Sequence, residues 1–148
     1  MPADAQRPEE PESQTAGRVL VVDDDPILLD LLTKAFRADG FVTRFAHNGR
    51  QALALLQAEA FDLVVTDIIM PESEGIGTIL QIKRKPRPPK VIAISGAARG
   101  GRGDYLTWAR HLGADEVLAK PFRMAQLIDL ARRLISNQSD SVMEMRSR

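Results

Sequence analysis

The stretch VVTDIIMP, residues 64–71, decides how this chain reads. It is an apolar, β-branched run that ends on a carboxylate, Asp67, and is broken soon afterwards by Pro71. A short apolar run bounded by a turn signal reads as a buried strand. Burial of the strand does not by itself account for an acid at its end, just where the chain turns.

Working outward from it, the same unit recurs. RVLVVD (18–23) is a first strand, FVTRFA (41–46) a second, FDLVVTD (61–67) the third, KVIAIS (90–95) a fourth and EVLAK (116–120) a short fifth. The second strand alternates apolar and polar residues, which suits a sheet edge. Between the strands the apolar spacing becomes helical. PILLDLLTKAFRADG (26–40) follows the first strand, with Asp25 as its cap, Pro26 at its first position and Gly40 at its end. NGRQALALLQAEA (48–60) is a second helix capped by Asn48, and residues 74–84 form a weaker third. A basic, proline-broken connector, KRKPRPPK (83–90), and a Gly/Arg-rich loop, GAARGGRG (96–103), flank the fourth strand. A fourth helix is predicted over 104–112, and a last one opens after Pro121. Strands alternating with helices five times imply a parallel sheet covered on both faces.

Bulk properties agree with one such domain. The chain has 148 residues, 20 basic and 20 acidic, and no cysteine. Balanced charge gives no footprint for DNA or membrane binding. Disulfides and thiolate metal sites are excluded. No apolar run approaches the roughly 20 residues of a membrane span. Residues 1–17 have no apolar core, so they are not a secretory signal. Their proline- and acid-rich composition predicts a disordered tail, the domain proper being 18–136 and residues 137–148 a flexible C-terminal tail. A soluble, cytoplasmic protein is expected.

In a doubly wound sheet, ligands bind beyond the carboxyl ends of the strands. Those ends carry Asp23 with Asp24 and Asp25, then Asp67, Ser95 and Lys120. Clustered carboxylates repel one another and call for a cation. Hard oxygen ligands without histidine or cysteine point to Mg²⁺ or a similar divalent ion. Metal, lysine and hydroxyl around a carboxylate suit phosphoryl chemistry, with Asp67 as nucleophile and Asp23 and Asp24 on the metal. Taken singly, each residue has a plainer reading. Asp25 reads as a helix cap. Asp23 and Asp24 divide between turn and metal roles, Asp67 and Ser95 could form turns, and Lys120 could be a solvated lysine. His47 and His111 read as surface residues, since neither has a second ligand at metal spacing.

The segments VLVVDDDP, VVTDIIMPESEGI, VIAISG and GADEVLAKPF, in this order and spacing, resemble the receiver domain of two-component response regulators. The likeness covers roughly residues 17–136. It implies a flavodoxin-like, five-stranded parallel sheet in the order 2-1-3-4-5 with five helices. It implies that Asp67 is phosphorylated by the phosphohistidine of a histidine kinase or phosphotransfer protein. Asp23, Asp24, Asp67 and the backbone carbonyl of Ile69 would hold Mg²⁺, while Ser95 and Lys120 would contact the phosphoryl group. It further implies a cis peptide between Lys120 and Pro121. Val117 stands where the family often has a switching aromatic residue. Ile69 and Ala97, both apolar, flank the expected phosphoryl position and predict a long-lived phosphorylated form.

The expected function is a phospho-acceptor that assists its own phosphoryl transfer and dephosphorylation rather than an enzyme. It would signal by contact with a downstream protein target, with a phosphorylation-dependent dimer as one form of output, through the fourth helix, fifth strand and fifth helix. The residues after the last helix are expected to be too few for a DNA-binding domain, whether the chain is a stand-alone receiver or a fragment of a longer one. Two other readings are a Mg²⁺-dependent aspartyl-phosphate phosphatase and a non-phosphorylated pseudo-receiver. The first lacks the acid that such enzymes place at position 69. The second is disfavoured by the complete acid, hydroxyl and lysine set.

Overall fold

The computed structural model describes residues 16–68, 74–96, 110, 111 and 113–147. Five strands, β1 (Arg18–Val22), β2 (Val42–Ala46), β3 (Leu63–Asp67), β4 (Lys90–Ser95) and β5 (Glu116–Ala119), form one sheet. Every pairing is parallel, and the strand order is β2-β1-β3-β4-β5. The described helices are α1 (Pro26–Ala38), α2 (Gly49–Ala58), α3 (Glu74–Lys83) and α4 (Met124–Ser147). Most of the helix expected at 104–112, with Trp108, lies outside the described residues, as do Ile69, Pro71, Ala97 and the rest of the Gly/Arg-rich loop beyond Gly96.

Period-two alternation explains why both faces are covered. Val19 and Val21 of β1, Leu63 and Val65 of β3, and Ile92 and Ile94 of β4 point to one side, against Leu29, Leu32 and Phe36 of α1 and Leu127 and Ala131 of α4. Leu20 and Val22, Val64, and Val91 and Ala93 point to the other, against Ala52 and Leu56 of α2 and Ile79 and Ile82 of α3. Strands apolar on both sides cannot lie at a solvated face, which is why their sequences read as continuous apolar runs.

The helix signals hold. Asp25 accepts the N–H groups of Ile27 and Leu28 at 3.0 and 3.4 Å, and Pro26 occupies the first turn. Asn48 accepts from the Gln51 N–H at 2.9 Å. Gly40 takes the left-handed conformation (φ 96°) that ends α1.

Two boundaries differ from the sequence reading, and the edge strand is more buried than its alternation alone shows. β2 is an edge strand, yet its polar residues Thr43 and Arg44 are buried. Arg37 Nη2 reaches over to the Thr43 carbonyl at 2.7 Å, and Arg44 pairs with Glu59, so the edge is blunted by side chains of this chain. Gly17, assigned to the tail, already belongs to the sheet margin: its carbonyl accepts the Val42 N–H at 2.9 Å. At the other end α4 runs unbroken to Ser147, through the stretch assigned to the C-terminal tail. No glycine or proline follows Pro121 to stop it.

Candidate functional site

The parallel register decides which side chains meet. Val22 is opposite Thr66, so one residue further Asp23 faces Asp67 at the carboxyl edge. Asp67 is opposite Ile94 and Ser95 is opposite Ala119. One step further along, Ser95 is diagonal to Asp67 at the strand ends and Lys120 follows Ala119 just past Ser95. A backbone bond from the Lys120 N–H to the Ser95 carbonyl, 2.8 Å, fixes the last step. The Lys120–Pro121 peptide is cis.

Asp23 is 1% exposed and Asp67 5%. Asp23 Oδ1 accepts the Asp25 N–H at 2.8 Å, while its Oδ2 has no hydrogen-bond partner. Lys120 Nζ donates to Asp67 Oδ2 at 3.0 Å and stands 3.8 Å from Asp23 Oδ2. Asp24 is exposed at the mouth. One oxygen from each of Asp23, Asp24 and Asp67 lies within 4.8 Å of the others. Among the described residues neither His47 nor His111 joins a metal-ligand group, and both are exposed.

Electrostatics follow from this packing. Burial pushes the Asp23 carboxyl up from 3.8 to about 6; the Asp25 N–H and Lys120 pull it down, and Asp67 and Asp24 push it up. For Lys120, burial works against the ammonium. The hydrogen bond and charge of Asp67, with Asp23 and Asp25 behind it, outweigh that cost and raise its pKa. One ammonium thus faces three carboxylates, and a buried carboxylate oxygen lacks a hydrogen bond. That is the donor set of a hard divalent cation. The residues present fit Mg²⁺: Asp23, Asp24 and Asp67 would hold it.

These observations agree with the family pattern of the response regulator receiver domain, which matches residues 19–132. The chain belongs to that family. It is a receiver domain of two-component systems. The transcriptional regulatory protein CpxR of Klebsiella pneumoniae is 36% identical over 119 residues, 80% of this chain and 49% of that protein. Among solved structures, NtrX from Brucella abortus superposes with a TM-score of 0.82 at 29% identity, over 90% of this chain and 30% of that one. The Francisella response regulator 1452 receiver domain gives 0.74 at 27% identity, over 82% of this chain and 98% of its own. This receiver domain therefore spans about half the length of the curated relatives it matches.

Two supports of the site were not evident in the sequence. A Cβ on Gly96 would lie 3.2 Å from Lys120 Cδ, so the bare glycine leaves room for the lysine stem to reach Asp67. Asp115 Oδ2 accepts both the Val91 N–H (2.8 Å) and Lys83 Nζ (2.9 Å), and the Asp115 N–H returns a bond to the Val91 carbonyl at 2.8 Å. That clamp sets β5 against β4, and so sets Lys120 against Ser95. Both residues lie within the quoted segments VIAISG and GADEVLAKPF, but their supporting roles were not read there, because each acts through a neighbour far along the chain. Val117 is partly buried against the α2–α3 side of the core.

Proposed function

We propose that Asp67 accepts a phosphoryl group from the phosphohistidine of a histidine kinase or histidine phosphotransfer protein. The supporting observation is the Lys120 ammonium held 3.0 Å from Asp67 Oδ2 within a three-carboxylate rim. An Asp67 oxygen attacks the phosphorus in line. The P–N bond of the donor breaks, and its electron pair stays on the departing imidazole nitrogen. Asp23, Asp24 and Asp67, with the Ile69 carbonyl that the family resemblance implies, would hold Mg²⁺, which when bound would supply positive charge against the phosphoryl oxygens. Lys120 meets charge that develops on those oxygens, and the Ser95 hydroxyl donates to one of them. The acyl phosphate is later cleaved by water.

The donor protein has an apolar landing next to this rim. Ile27 and Leu31, one turn apart on α1, are 73% and 53% exposed. They begin two residues after the Asp25 cap, so a docked partner would present its phosphohistidine to Asp67. Output is a protein contact in the cytoplasm, with a downstream target or a second copy, through the 104–112 segment, β5 and α4. No helix of the described residues is long and apolar enough to cross a membrane.

The direct test uses acetyl phosphate with Mg²⁺ and intact-mass measurement. One phosphoryl group should be added, and none in EDTA or in Asp67→Asn. Labelling that survives Asp67→Asn would remove the assignment.

A further inference from the structure

β5 is the strand that delivers Lys120, and little in its own side chains holds it. It has four residues, stands at the edge of the sheet, and fully buries only Leu118. A strand with so small a buried face specifies its register weakly. A slip of one residue moves every group on it by about 3.3 Å. That is as much as the 3.0 Å between Lys120 Nζ and Asp67 Oδ2, so the lysine would lose its partner.

The register is held instead at the start of the strand. Asp115, the residue before β5, exchanges two bonds with Val91 of β4. Its Oδ2 accepts the Val91 N–H at 2.8 Å, and its own N–H donates to the Val91 carbonyl at 2.8 Å. The same Oδ2 accepts from Lys83 Nζ at 2.9 Å. Lys83, the last residue of α3, also donates to the Pro89 carbonyl at 3.2 Å, just ahead of β4. One carboxylate therefore ties together the end of α3, the start of β4 and the start of β5. The side chains of Lys83 and Asp115 are only 21% and 23% exposed, so solvent screens this pair less than an ordinary surface pair. Gly113 serves the same arrangement. It takes φ 117°, and a Cβ there would stand 3.0 Å from Lys83 Cγ, so a bare glycine keeps the path of the lysine open. Glu116, next along the chain, makes a contrast. Its pair with Arg110 is longer, 3.5 Å, and more open to solvent.

We propose that Asp115 is a positioning residue for phosphoryl transfer: anchored by Val91 and Lys83, it fixes the register of β5 and thereby the reach of Lys120 to Asp67. The proposal rests on Asp67 being the phosphoryl acceptor. Asp115 touches none of the reacting groups; it acts from the amino end of the sheet through the four residues of β5. Asp23 and Asp24 follow β1 and Asp67 ends β3, so loosening β5 leaves all three carboxylates in place. Loss of the clamp therefore slows transfer without weakening Mg²⁺ binding.

A double-mutant cycle with Lys120 tests this on the full chain. Initial rates of labelling by acetyl phosphate in Mg²⁺ are compared for Asp115→Ala with Lys120 present and with Lys120→Met. With Lys120 present, Asp115→Ala should slow labelling on the order of tenfold, through a small misplacement of a reacting group. With Lys120→Met the same change should alter the rate less than about twofold, because no ammonium is left to misplace. Mg²⁺ affinity by calorimetry should stay that of wild type. Gly113→Ala should share the slowing, and Glu116→Gln should not. Asp115→Asn keeps an oxygen for the Val91 N–H and loses the charge facing Lys83, and it gives the same comparison should Asp115→Ala unfold. A second reading needs no metal: in EDTA, the NMR signal of the Lys120 ammonium held by Asp67 should weaken in Asp115→Ala and persist in Glu116→Gln. Equal slowing with and without Lys120, which a merely structural role would give, would overturn the proposal. So would an unchanged Lys120 signal in Asp115→Ala. A wild type left unlabelled at Asp67 would remove the acceptor assignment instead, and the metal-free lysine signal would still decide the role of Asp115.

Discussion

Asp23→Asn isolates the electrostatic cost built into the site. Asn keeps the size of the side chain and the oxygen that accepts the Asp25 N–H. It removes a buried charge whose Oδ2 has no hydrogen-bond partner. The wild-type carboxyl is pushed up from 3.8 to about 6. Below the unfolded value both states are protonated and the penalty is absent. As pH rises from about 4 to about 6 the unfolded chain ionises first, and native stability falls. Above about 6 the penalty is complete and constant, about 3 kcal/mol from the size of the shift. Without metal at about pH 7.5, Asp23→Asn should therefore be more stable than wild type by up to that amount, on the order of 10 °C in melting temperature. The difference between the two proteins should shrink towards zero near pH 4. Mg²⁺ should raise the wild-type midpoint and leave the variant nearly unmoved. Urea titrations in EDTA and in Mg²⁺ measure both effects. A variant less stable than wild type in EDTA at neutral pH would refute the reasoning.

Replacing Lys120 by Met leaves three carboxylates without their ammonium; the metal-free protein should lose about 1–3 kcal/mol, and Mg²⁺ should restore more stability than in wild type, read from melting curves. Ile27→Ser with Leu31→Ser should slow transfer from a cognate phosphohistidine protein at least tenfold, with acetyl phosphate labelling and stability unchanged; equal slowing of both donors would remove the docking role. Asp25→Ala should cost about 1 kcal/mol in denaturant titration through loss of the α1 cap, with labelling retained. The phosphorylated form should persist well beyond seconds after donor removal, the expectation drawn from apolar residues, Ile69 and Ala97, standing two positions after Asp67 and Ser95 in the sequence; decay within seconds would count against that.

Much of this was legible because local chemistry repeats. Each strand is a short apolar run, and four of them end or are followed by Asp23, Asp67, Ser95 and Lys120. Alternation gives the two faces directly, and Asp25 and Asn48 announce their helices. What sequence could not give is what depends on distant partners. The alternation of β2 marked a sheet edge, but not that Thr43 and Arg44 are buried there, where Arg37 reaches the Thr43 carbonyl and Glu59 reaches Arg44. The extent of α4 is set by the absence of breakers, a weaker signal than its polar composition. That Asp23 is the buried member and Asp24 the exposed one depends on the turn drawn by the Asp25 N–H, which aims one carboxylate inward.

Borohydride reduction of the phosphorylated protein, followed by peptide sequencing, tests the central claim most directly, because it converts an aspartyl phosphate to homoserine at the residue that carried it. Homoserine at position 67, formed only when Mg²⁺ was present during phosphorylation, is the expected result. Homoserine at Asp23 or Asp24, or its absence from a protein shown to be folded and saturated with Mg²⁺, would contradict it.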